Sequence, residues 1–284
     1  MREKKYEDYN VNPRQFINPI TIESAYILGL LWADGSIFRK GKHANISLVT
    51  TYPDFLYINP LMLKTGKWRL YFRKSKLHPT WKERCDIVTS NRPLADFLIE
   101  NDYKTKSQES ADKILSIIPQ KLKHYWFRGL LDGDGHIHTD NKGSHSVSFS
   151  STFDQNWNYL EDICKSLNIK YVIKRRISKK SHKQSNFSIY GMYKTIKFCE
   201  YIYNGYPEDD IGLKRKYDKF LQLKMTEEKN RYRGVSKMKN GKWRAYTSAA
   251  IKLKPVGLGV FDTEEAALNA VKNYYQIHPK VFLS

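Results

Sequence analysis

Two aspartates stand at the same place in two closely similar segments of the chain. Ile27-Leu-Gly-Leu-Leu-Trp-Ala-Asp-Gly-Ser-Ile37 and Phe127-Arg-Gly-Leu-Leu-Asp-Gly-Asp-Gly-His-Ile137 align without a gap, offset by 100 residues, and pair Asp34 with Asp134. Each segment reads as a short apolar helix that closes in Asp-Gly. A helix C-terminus carries partial negative charge, so a carboxylate there opposes the local field. A second carboxylate nearby adds repulsion. A divalent cation relieves both, and Mg²⁺ suits such a site, with water and phosphate oxygens completing its shell. In a basic chain, acids of this kind point to metal-assisted phosphodiester hydrolysis. A calcium loop starting at Asp132 fails, because Ile137 takes the glycine place and Gly143 the terminal glutamate place.

The elements that must position these acids follow from the flanking pattern. Gly29 and Ala33 in the first segment, and Gly129 and Gly133 in the second, form stripes of small residues through which two helices can pack backbone to backbone. The spacing predicts helices that end together, with Gly35 and Gly135 as left-handed stops. Strand-like stretches follow each: Asn45–Thr51, Trp68–Arg73 and Arg84–Thr89, then Ser146–Ser151, Tyr171–Ile177 and Phe187–Tyr190. Helices are predicted over Pro93–Asn101, over Asn156–Leu167 and from Thr195. The pattern is an α+β duplication about a pseudo-twofold axis. His136 and His138 share one side of a strand just after Asp134 and are candidate base or phosphate contacts rather than zinc ligands.

Composition narrows the partner. The 284 residues include 49 Lys and Arg against 29 Asp and Glu, a formal charge of +20, with 40% hydrophobic and 14% aromatic residues. That excess is costly in self-repulsion unless a polyanion shares the surface, which puts nucleic acid first. Residues 230–284 carry 10 basic and 3 acidic side chains, so both ends of the chain are basic. The longest apolar run, Ala25–Ala33, is far below the roughly 20 residues of a membrane span. Cys85, Cys164 and Cys199 form no CxxC pair, which argues against a disulfide scaffold and for a reducing compartment. No signal peptide is visible, so an intracellular, cytoplasmic, nucleoid-associated protein is expected, not a secreted one.

The paired segments resemble the LAGLIDADG motifs of homing endonucleases in single-chain form, over about residues 20–225. In the first motif Trp32 replaces the inner aspartate, while the outer Asp34 is retained. The resemblance implies two αββαββα halves, residues 1–115 and 116–228, each laying a saddle of antiparallel strands into the major groove of double-stranded DNA. It implies a monomer that cuts both strands, with Mg²⁺ or Mn²⁺ held by Asp34, Asp134 and the backbone near Ala33 and Gly133. It also implies a basic residue near each site. Lys106 and Lys216 fit that place, with Lys104 and Lys214 as near-equal substitutes. Arg39, Lys42, Arg73 and Arg175 are further expected DNA contacts. The chain lacks the terminal residues of an intein, so an intron-encoded or free-standing nuclease is expected. A non-cleaving DNA-binding regulator and an RNA-binding intron-splicing factor are the alternatives.

Residues 229–284 read as a third module of three short strands and a helix, the helix capped by Asp262 or Thr263. Tyr232-Arg-Gly-Val, Gly241-Lys-Trp-Arg-Ala and Leu258-Gly-Val-Phe-Asp-Thr-Glu-Glu-Ala-Ala267 resemble the Apetala-type DNA-binding domain. The resemblance implies groove contacts by Arg231, Arg233, Lys242, Trp243, Arg244 and Tyr246. Met225–Arg231, a polar stretch, is the expected boundary.

Overall fold

A computed structural model of the chain describes residues 20–51, 53–73, 83–140, 143–177, 183–231, 234–247 and 256–278. The chain divides into two compact units, Met1–Leu221 and Gln222–Ser284.

The first unit holds two repeats. One runs α1 (Ile22–Asp34), β1 (Gly35–Lys40), β2 (His43–Thr51), α2 (Phe55–Lys64), β3 (Arg69–Arg73), β4 (Arg84–Thr89) and α3 (Arg92–Glu100). After α4 (Asp112–Ile117), the other runs α5 (Lys123–Asp134), β5 (Gly135–Thr139), β6 (His145–Ser151), α6 (Asn158–Ser166), β7 (Val172–Ile177), β8 (Lys183–Tyr190) and α7 (Met192–Ile202). The sheets have the same antiparallel order, β1-β2-β4-β3 and β5-β6-β8-β7. Strict alternation in β2 buries Ala44, Ile46, Leu48 and Thr50 under the helices and leaves the other face of the sheet open. The α+β duplication is thus present, with an added small third sheet.

The paired helices lie at the centre of this unit. Thr21 starts α1 with a capping box shared with Ser24, and the helix then buries every residue from Ser24 to Trp32. A helix apolar on all sides must be covered on all sides; here the sheet and α5 do so. A Cβ on Gly29 would stand 2.0 Å from the Trp126 carbonyl, and one on Gly129 would stand 2.0 Å from the Tyr26 carbonyl. Replacing each residue of the first contact by its counterpart 100 positions away in the other repeat gives the second, as a local twofold axis requires.

Gly35 and Gly135 correct one expectation. Their backbones are extended, with φ of −71° and −78°, and are not left-handed stops. Glycine is required there by space: a Cβ would lie 2.4 Å from the Leu31 carbonyl at Gly35 and 2.7 Å from that of Leu131 at Gly135. The chain turns from helix straight into strand, so the strands β1 and β5 begin one residue after each aspartate.

In the second unit β9 (Val235–Lys237), β10 (Trp243–Tyr246) and β11 (Gly257–Phe261) form an antiparallel sheet in the order β11-β10-β9, covered by α9 (Glu264–Ile277). Thr263 caps α9, accepting from the Ala266 N–H at 3.2 Å. Its core is small: Ala245, Ala267, Val271 and Tyr275. The polar stretch Met225–Arg231 is the end of helix α8 (Lys214–Arg231), and the division between the units falls inside that helix. Cys85, Cys164 and Cys199 are free and buried. No helix among the described residues is long and apolar enough to cross a membrane.

Candidate active site at the paired helix ends

The small-residue stripe brings the last turns of α1 and α5 together. A Cβ on Gly133 would lie 2.3 Å from the Ala33 Cβ and 3.3 Å from Asp34 Oδ2. Asp34 and Asp134 therefore end two touching helices, each at the negative end of its own dipole. Both side chains are exposed at their tips, while dense protein surrounds their other sides. That desolvation raises the Asp34 pKa against the pull of Lys106 and Lys216. It raises Asp134 to about 6, with the Asp34 charge adding to it. Among the described residues neither carboxylate has a hydrogen-bond or ion-pair partner.

Two lysines close the helix ends from behind. Lys106 Nζ donates to the carbonyls of Leu31, Ala33 and Gly35 at 3.0, 2.7 and 2.8 Å. Lys216 Nζ does the same to Leu131, Asp132 and Gly135 at 2.5, 2.7 and 2.7 Å, with Gly133 at 3.5 Å. An ammonium has three donors, so both are fully used. Burial lowers each lysine to about 8, against the pull of the aspartates. Lys104 and Lys214 are exposed, and Lys214 pairs with Asp218 at 2.9 Å, so neither reaches the helix ends. The Ala33 carbonyl is thus taken by Lys106, while that of Gly133 lies at the 3.5 Å margin of Lys216.

The open faces of the two sheets flank this centre, and strand register decides what they present. On the first, Arg69 and Arg73 lie with Ser36 and Ser47, and Arg73 pairs with Asp86 at 3.0 Å. Lys42 is exposed in the β1–β2 turn. On the second, His136 and His138 line up with Ser148, Ser146 and Tyr190, and Ser150 with Asn186 and Lys174. A 450 Å³ hollow there is lined by Lys174, Arg176, Gln184 and Asn186 among others. Two expected contacts are placed otherwise. Arg39 shares the helix-side face with Ala44 and Ile46 and pairs with Asp96 at 2.7 Å. Arg175 registers with Ser185 on the helix side and pairs with Asp154 at 2.7 Å. Both point away from the open face, and Lys40, Lys174 and Arg176 face it instead.

In the second unit Trp243 also departs from expectation. It shares a face with Ala245 and packs on the core beneath α9, with Lys237 Nζ 5.7 Å from its ring. Arg244 is exposed on the opposite face beside Ser236 and Val260, and Tyr246 is half-buried at a bulge. Lys242 pairs with Asp262 at 3.0 Å. Arg231 is described only as the last residue of α8, and Arg233 lies outside the described residues.

Comparison with known families bears on one of these two helix ends. Residues 122–203 match the family model of a LAGLIDADG-like domain. This match takes in α5 and the sheet that follows; the first repeat, with Trp32 at the inner acid's place, lies outside it. No curated protein sequence matches the chain. Among solved structures, mesophilic variants of the homing endonuclease I-DmoI are similar at 16% identity and TM-score 0.45, covering 65% of this chain and 92% of that one. The homing endonuclease I-WcaI bound to its DNA recognition sequence is similar at 17% identity and TM-score 0.47, covering 71% and 92%. A full-length DUF199/WhiA from Thermatoga maritima is similar at 15% identity and TM-score 0.40, covering 78% and 73%.

Within residues 122–203 lie further buried charged residues whose partners the sequence reading did not foresee. Arg128 is fully buried, and its guanidinium donates to the carbonyls of Ile202, Ile211 and Asn204 and to Asp209 at 2.9 Å. That pair fixes the loop leading to Lys216. Asp132, also buried, accepts from Tyr26 Oη at 2.9 Å and from the Leu213 N–H at 2.8 Å. One signal was available: an arginine inside an otherwise apolar helix needs a buried partner.

Proposed function

We propose that the chain is a divalent-cation-dependent endonuclease that cuts both strands of double-stranded DNA at a specific sequence. The observation that supports this reading most is the pair of exposed, unpartnered carboxylates at touching helix ends, in a chain of charge +20. The donor set fits Mg²⁺ or Mn²⁺. Asp34 and Asp134 offer hard oxygens, and no third His, Cys, Asp or Glu joins them among the described residues, which leaves room for water and phosphate oxygens. A cation held there would supply Lewis-acid activation of water and charge neutralisation at the phosphate.

The chain's own residues do the rest. Lys106 and Lys216 offset the negative ends of both helices and pull against the burial that raises both carboxylates, Asp134 to about 6. With their donors tied to carbonyls, the lysines act through charge rather than by direct contact with the reacting water. Asp134 lines a cleft of 270 Å³ with Lys106, Ser107 and Gln155, a place where a phosphate can approach. The open faces carry hydroxyls, amides and cations, the groups that read base edges and hold phosphates. In the small second unit, Arg244 on the sheet face away from α9 is a further cation of the kind that contacts phosphate.

Duplexes from a randomised library, incubated with the protein and Mg²⁺, should yield a defined cut that EDTA abolishes. Asp34→Asn or Asp134→Asn should lower double-strand cutting at least about a hundredfold, with DNA affinity kept within about tenfold. Wild-type cutting rates in both variants would refute the assignment, and binding without any cut would favour a DNA-binding regulator.

A further inference from the structure

Each lysine turn is gripped by a loop from the opposite repeat. The loop after β6 carries Gln155, nearly buried, whose Nε2 donates to the Lys106 carbonyl and, at 3.5 Å, to that of Glu109. Gln155 is itself held: its N–H donates to Ser185 Oγ at 3.0 Å, and Ser185 donates to the Phe153 carbonyl at 2.8 Å. The loop after β2 carries Asp54, which takes a two-pronged pair from Arg215, the residue before Lys216. Arg215 Nε lies 2.7 Å from Oδ1 and Nη2 lies 2.6 Å from Oδ2. The two braces are chemically unlike, an amide on a carbonyl and a carboxylate on a guanidinium, yet each runs from one repeat's sheet to the other repeat's lysine. Neither brace includes Asp34 or Asp134. Both fix the backbone from which a lysine must reach three carbonyls at once, a geometry that tolerates errors of about 0.5 Å.

We propose that Gln155 and Asp54 are positioning residues, each setting the lysine of the opposite repeat, so that each strand-cutting centre is completed by both repeats and can be disabled separately. This rests on the endonuclease reading above. If the braces only held the repeats together, their loss would slow both strands equally and lower the melting temperature without separating the centres.

The test uses the full chain and the duplex it selects from a randomised library, with a different dye on each strand and cutting followed strand by strand. Gln155→Met keeps the volume and removes the donor; Asp54→Asn keeps the shape and removes the charge. Each should slow one strand by about tenfold to a hundredfold and leave the other within about twofold, and the two variants should affect opposite strands. Asp54→Glu, which keeps the carboxylate, should restore cutting in part. Arg215→Gln probes the same brace from its exposed side and replaces Asp54→Asn if that variant does not fold. Equal slowing of both strands, no slowing, or the same strand slowed by both variants overturns the proposal. If the parent cuts no duplex, the endonuclease reading fails and hydrogen exchange decides the braces. Faster exchange over residues 103–109 only in Gln155→Met, and over 213–219 only in Asp54→Asn, supports them; unchanged exchange removes them.

Discussion

The two lysine-capped helix ends have similar geometry and are supported by opposite chemistry. Around Lys106 the walls are aromatic. Trp32 meets Tyr103 edge-on at 5.0 Å, Trp126 at 6.0 Å and Tyr159 at 6.2 Å, and Tyr103 Oη donates to the Leu28 carbonyl at 3.0 Å. Around Lys216 the same positions, offset by 100, hold Asp132, Tyr203 and Tyr26, with Arg128 in the place of Leu28. The first end is held by dispersion and area, which have no strong direction and no charge to desolvate. The second is held by directed hydrogen bonds and ion pairs, which fix geometry but require burying an arginine and an aspartate. Similar lysine contacts, sharing the Leu31/Leu131 and Gly35/Gly135 carbonyls, can thus be reached from either side, provided that the helix contact between the halves is preserved. The shared part is the backbone contact; the support behind each lysine differs.

The largest effects should fall on what the halves share. Gly29→Ala and Gly129→Ala each force a methyl to within 2.0 Å of a backbone carbonyl. Neither helix can yield without moving the other, so each should cost about 3 kcal/mol or more and lose cutting on both strands. Gly257→Ala, where a Cβ meets nothing within 4 Å, is the control and should stay near the parent in urea unfolding. If the two helix variants differ by more than about 2 kcal/mol, the contact is less symmetric than the geometry says.

Next comes the support that differs. Arg128→Met leaves the Asp209 carboxylate and three carbonyls without their donor, at a cost of about 3–5 kcal/mol. Leu28→Ala, its counterpart, opens a cavity and should cost about 2–4 kcal/mol. The sharper contrast is rescue: Asp209→Leu added to Arg128→Met should recover part of the loss, because the stranded charge is then gone. Urea unfolding of the single and double variants measures this, and strict additivity would break the ion-pair account.

The lysines themselves come third. Lys106→Met and Lys216→Met each uncover one helix C-terminus and should slow cutting about a hundredfold while leaving DNA affinity near that of the parent. Cutting that survives either change within about twofold would show that the lysines serve the fold alone.

The repeat and the helix contact were legible in the sequence because each rests on spacing: an offset of 100 residues and small-residue stripes four apart. The lysines came from the family resemblance, which left Lys104 and Lys214 as near-equal choices. Arg39 and Arg175 were misplaced because facing in a strand depends on register, and a shift of one residue turns a groove contact into a helix-side ion pair. Trp243 was misplaced for the same reason, its strand alternating about Ala245. Helix α2 escaped reading since Pro60 sits inside it and interrupts the pattern. The braces from Gln155 and Asp54 join residues 49 and 161 positions apart. Nothing local marks them, since only the folded arrangement of the two repeats brings those loops to the opposite lysine.

The smallest expected effect tests whether charge is the real difference between the two ends. Burial raises Asp132 to about 6, against the pull of Lys216, the Leu213 N–H and the Tyr26 hydroxyl. In the unfolded chain an aspartate titrates near 4. The folded state therefore holds this proton more tightly, and the group's contribution to stability is complete below about pH 4 and is lost as pH rises through about 6. Asp132→Asn keeps a neutral acceptor for Tyr26 and Leu213 at every pH. Its melting temperature relative to the parent should thus be higher at pH 7.5 than at pH 4. The measurement is made in EDTA, so that no cation at Asp34 or Asp134 contributes. Trp32→Phe, at the matching place in the first repeat, has nothing to titrate and should be offset from the parent by the same amount at both pH values. An Asp132→Asn offset that is flat with pH, or that grows toward pH 4, would mean that Lys216 compensates the buried carboxylate in full, and the two ends would then differ in shape but not in charge.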